Sequence, residues 1–169
     1  MNTEKVLNFQ IEFERRISRI YERIAEQFSS RSDQDPKWSL FWKELSLDEE
    51  DHAALLSIEK ALLQTGTRVK IPVEIDGETI ENLERLLIEC EKQVSKDLTN
   101  EEAIQILKRL ENYDNRLFSS LLKATDSKLL SRFISLSRRY KAHEKRVREG
   151  LGYIESLKRK EFAMVGKEE

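Results

Sequence analysis

The chain has 169 residues, with 30 Lys and Arg against 32 Asp and Glu and a formal net charge of -2 at pH 7. Hydrophobic residues make up 38% and charged residues 37%, with only 5 Gly and 2 Pro, too few turn residues for a β-sandwich or barrel. Recurring Leu, Ile, Val and Phe argue against disorder and the charge balance against nucleic-acid or membrane partners, so the expectation is one soluble, cytoplasmic, all-α domain over 1–169.

Residues 1–35 contain neither Gly nor Pro, and a helix is predicted over about 4–29; its start, MNTEKVLNFQIEFERR, is too charged for a signal peptide. At spacings of three and four its inner face reads Gln10, Glu14, Ile17, Tyr21, Ile24 and Phe28. Asp35-Pro36 then forms an N-cap with proline at the first helical position, opening a helix over 37–65 that Gly66 stops. Its stripe is Trp38, Trp42, Leu45, Glu49, His52, Leu56 and Leu63. Between Thr67 and Gly77 the period changes to an alternation of Val69, Ile71, Val73 and Ile75, an extended connection ending in an Asp76-Gly77 turn. A helix over 79–96 is amphipathic through Ile80, Leu83, Leu87, Cys90 and Val94. Cys90, the one cysteine, excludes an intrachain disulfide or a thiolate zinc cluster and reads as a small buried hydrophobe. Thr99 and Glu102 form a capping box ahead of a helix over 100–124, striped by Ile104, Leu107, Glu111, Asp114, Phe118 and Leu121. Thr125-Asp126-Ser127 restarts the chain into a helix over 127–159, striped by Leu129, Phe133, Leu136, Tyr140, His143, Val147 and Ile154. Basic runs on that last helix, such as Lys158-Arg159-Lys160, are interleaved with Glu144, Glu149, Glu155 and Glu161 and read as a solvated face.

The four long helices each carry polar or titratable residues near the middle of the face that should enter the core. Taken singly, the Glu49/His52 pair is common by chance in so charged a chain, and Glu14 or Glu111 alone reads as a rim residue. Across four helices, however, buried carboxylates must share something cationic. A divalent metal, or a pair, supplies it, and carboxylate and imidazole at i and i+3 present two ligands from one helical face.

At these residues the sequence resembles the ferritin-like superfamily, the rubrerythrins above all. Glu14 with Tyr21 matches the family's Glu and aromatic on the first helix, Glu49 with His52 its ExxH on the second, and Glu111 with Phe118 the same pattern on the third. Asp114 stands where rubrerythrins carry an added acid, and Tyr140-Lys-Ala-His143 replaces the second ExxH. The resemblance implies a four-helix bundle with a long crossover, 66–99, carrying an extra helix between the second and third core helices. It implies iron, one or two ions, held by Glu14, Glu49, His52, Glu111, Asp114 and His143 and reacting with oxygen or peroxide. Tyr21 and Tyr140 become accessory or replacement ligands. Tyr140 stands where the family has a bridging glutamate, and a phenolate ligand, a hydrogen-bond donor and a plug in a lapsed site are all open to it. The paired CxxC motifs of the rubredoxin module do not occur in these residues, so the resemblance also implies an external electron donor. Trp38, Phe41 and Trp42 either cap the bundle end or meet a second copy, and the family's habit of dimerising implies a homodimer. The competing expectation is a metal-free helical interaction module that kept the bundle and lost the chemistry.

Overall fold

Side-chain caps set the helix boundaries. The computed structural model describes residues 3–32, 35–65, 76–123 and 141–153, with the side chains of 3 and 114–123 excepted, and all its elements are helical. α1 spans Thr3–Ser29, α2 Pro36–Gln64, α3 Gly77–Val94 and α4 Asn100–Lys123, and α5 occupies 141–153. Asp35 caps α2 by accepting from the Lys37 N–H at 3.0 Å. The capping box of α4 is formed in both directions, Glu102 N–H to Thr99 Oγ1 at 3.2 Å and Thr99 N–H to Glu102 Oε2 at 2.8 Å. α3 begins two residues earlier than the pattern predicts. Asp76 is its N-cap, taking the Thr79 N–H at 2.7 Å and the Thr79 hydroxyl at 2.9 Å, so Gly77 is the first helical residue instead of a turn. The extended reading of 67–75, the Thr125-Asp126-Ser127 restart and the stretches 127–140 and 154–159 of the last helix lie outside the described residues.

α1 and α2 are antiparallel: Gln64 Nε2 donates to Glu4 Oε1 at one end, and the Ser39 hydroxyl reaches the Ala25 carbonyl toward the other. Small residues let them approach, with the Ser18 and Ser46 hydroxyls 3.2 Å apart. α3 runs parallel to α1, so the chain climbs back along the bundle before α4 begins. Arg16 anchors it, bonding Glu91 through two nitrogens at 2.7 and 2.8 Å and Glu84 through a third at 2.5 Å. Gln27 then clamps the α3–α4 turn, donating to the Val94 and Lys96 carbonyls and accepting the Leu98 N–H. α5 is antiparallel to α2, held by the Tyr153 hydroxyl on Asp35 at 2.6 Å and by Arg146 on Asp48 at 2.6 Å. Gly150 permits the approach, because a Cβ there would fall inside the Phe41 ring.

Between the helices lies one apolar core of Phe13, Ile17, Ile24, Trp42, Leu45, Leu87 and Leu107 with their neighbours. Trp38 and Trp42 are buried within the chain itself. Cys90 is buried as expected, and burial pushes its thiol up to about 11. No described helix is long and apolar enough to cross a membrane.

Candidate metal centre

Helical spacing places one cluster of polar side chains inside this core. Glu14 on α1, Glu49 and His52 on α2, Glu111 on α4 and His143 on α5 are each at most 7% exposed, an unusual environment for charge unless it is paired. They form two overlapping triads, Glu14–Glu49–His52 and Glu49–Glu111–His143, whose ligating atoms lie within 4.8 Å of one another. Glu49 belongs to both. The structure thus brings together five of the six residues expected to bind metal. Asp114 follows Glu111 on α4, but its side chain, like Tyr140, lies outside the described residues.

His52 Nδ1 is 2.7 Å from Glu49 Oε2 and 3.8 Å from Glu14 Oε2. His143 Nε2 is 3.1 Å from both Glu111 oxygens and 3.3 Å from Glu49 Oε1, and the two imidazole centroids are 5.3 Å apart. Tyr21, fully buried, donates its hydroxyl to Glu111 Oε1 at 2.8 Å, tying α1 to α4 through a candidate ligand. The other nitrogen of His143, Nδ1, meets Asp48 Oδ2 at 3.1 Å, and Arg146 holds that same oxygen. A carboxylate on one ring nitrogen fixes the tautomer and presents the other toward the cluster.

Asp48 and Arg146 adjoin the cluster through His143, and the stripe pattern misses both. Asp48 sits on the shoulder of the α2 stripe, one residue before Glu49, and only the docking of α5 brings it to His143.

Protons carry the positive charge of the cluster when no metal is bound. Burial disfavours charge on both imidazoles, but the Glu49 carboxylate outweighs it with help from Glu14 beside His52 and from Asp48 and Glu111 beside His143. His52 is raised to about 9 and His143 to about 12. Burial also pushes Glu49 up to about 7, an effect that the two imidazoliums only partly offset.

The donor set fits a divalent ion. Three carboxylates and two imidazoles are the oxygen and nitrogen ligands that iron, manganese and zinc accept. Glu49 Oε1, at the junction of the triads, is buried and makes no hydrogen bond, and its one ion-pair contact is His143 Nε2 at 3.3 Å, which a metal would replace. Atoms about 2.1 Å from a shared ion lie at most about 4.2 Å apart. Triad atoms as far as 4.8 Å apart must therefore draw inward to share an ion.

Comparisons with protein-family models, curated proteins and solved structures match nothing.

Proposed function

We propose that this protein is a rubrerythrin-like, ferritin-like metal protein that holds iron, one or two ions, in its Glu/His cluster and turns over oxygen or peroxide. The observation that carries the reading is the sharing of Glu49 between two buried carboxylate–histidine triads, the arrangement a two-ion centre needs. Bound iron supplies the redox couple and open coordination positions for the oxidant. The chain's own residues do the rest. With metal present, Glu49 would be the carboxylate shared by the two positions, Glu14 with His52 would hold one, and Glu111 with His143 would hold the other. Tyr21 steadies Glu111 by hydrogen bonding, and Asp48 holds His143 in register. The ligands' burial keeps bulk water from the centre. Electrons come from an external donor.

The test is to load the protein with ferrous iron under nitrogen and then add peroxide. Oxidation faster than that of free iron, and lost in Glu49→Ala, supports the reading; oxidation no faster than in buffer contradicts it.

A second reading is a metal-free interaction module. It is favoured by Leu40, Leu47 and Ile58, which are 58%, 50% and 56% exposed on one outer face of α2 with Asp51 between them, apolar points that a partner helix or a second copy could cover. On this reading the protonated histidines, paired with Glu49, Glu111 and Asp48, are the finished structure of the core.

A further inference from the structure

Gln10 lies on α1 one helical turn before Glu14 and shares its inward face. It is 3% exposed, and its Oε1 makes no hydrogen bond. A buried amide oxygen without a donor costs stability, and most buried polar atoms of folded proteins have a partner. Packing alone does not call for it, because the neighbouring inward positions of α1 are filled by Val6, Leu7, Ile11, Phe13 and Ile17. A leucine at position 10 would complete that surface without the penalty. Residues at i and i+4 place their Cβ atoms about 5–6 Å apart, within the reach of a glutamine side chain working beside the Glu14 carboxylate. The buried acceptor therefore belongs to the helical turn just before Glu14, on the same inward face of α1.

We propose that Gln10 is part of the metal centre: its amide oxygen serves the ion at the Glu14–His52 end, as a direct neutral ligand or as acceptor for a water the ion carries. The inference rests on the metal-binding reading. A neutral oxygen adds a donor without adding negative charge to a site that already holds three carboxylates. It keeps the ion's charge balanced and still orients what binds to it. The position is unfavourable in the metal-free protein and satisfied in the loaded one, as expected where function overrides packing.

Gln10→Leu separates this role from a structural one, with cobalt(II) as the probe. Wild-type protein should bind cobalt with a visible d–d band, and Gln10→Leu should bind it about ten- to hundredfold more weakly. Its metal-free melting temperature should rise, opposite to the effect of breaking a structural contact. A shifted d–d band in the variant identifies direct coordination, and weaker binding with an unshifted band identifies a contact through water. Equal affinity and an unchanged band in Gln10→Leu overturn the role of Gln10 while leaving the metal centre standing. A wild-type protein that binds no cobalt overturns the metal reading itself. Gln10→Met, which also removes the carbonyl, repeats the test should the leucine variant fail to fold.

Discussion

At the scale of single residues, the cluster turns on Glu49, because it alone belongs to both triads. Glu49→Ala should abolish binding of every ion, whereas His52→Ala should remove one and leave the Glu111–His143 end able to bind; metal-to-protein ratios with circular dichroism as a folding control check this. Asp48→Ala should weaken binding about ten- to hundredfold by freeing the His143 ring. Acidity acts on the same residues. The raised values of His52 and His143 mean that metal must displace protons, so affinity should climb as pH rises through neutrality toward about 9 and beyond. Calorimetry in buffers of different ionisation enthalpy should record proton release at pH 7, and its absence would contradict the assigned charges. The metal-free protein runs the other way. Groups whose values are raised on folding contribute stability below their unfolded values and lose it as pH rises through their folded ones. Its melting temperature should therefore fall as Glu49 titrates near 7 and His52 near 9. Glu14, Glu49, His52, Glu111 and His143 were legible in sequence because each breaks an apolar stripe at helical spacing. Asp48 was not, since one acid among many on a half-exposed shoulder carries no such mark until α5 is docked.

At the scale of elements, breakers and caps made the helix boundaries readable: Asp35-Pro36 and the Thr99/Glu102 box lie where their chemistry demands. The docking of α3 was not readable. It depends on Arg16 meeting Glu84 and Glu91, 68 and 75 residues away in the chain, and helical periodicity says nothing about which distant helix a charged edge meets. Gln27 is equally silent in sequence, yet it satisfies three backbone groups at the α3–α4 turn. Gln27→Ala should cost about 1–3 kcal/mol by leaving the half-buried Leu98 N–H and two carbonyls without their partner. Denaturant unfolding and faster exchange of the Leu98 amide check it. Arg16→Met should cost less, about 1 kcal/mol, because its glutamate partners are 38–43% exposed and their pairing is screened.

At the scale of the whole molecule, the described core surrounds a titratable cluster supplied by four helices: α1, α2, α4 and α5. An ion bound there ties all four together and stabilises the folded state alone. At a hundredfold excess over its dissociation constant it should add about 2.7 kcal/mol, roughly 5–10 °C in melting temperature. The same architecture with protons in place of metal is the interaction-module alternative, and composition, helix order and burial are identical for both. Metal analysis separates them. Protein purified without oxygen from cells supplied with iron should carry about one to two equivalents of iron per chain, as two triads sharing a carboxylate require. Less than about a tenth of an equivalent, with no uptake on adding ferrous iron, would contradict the account.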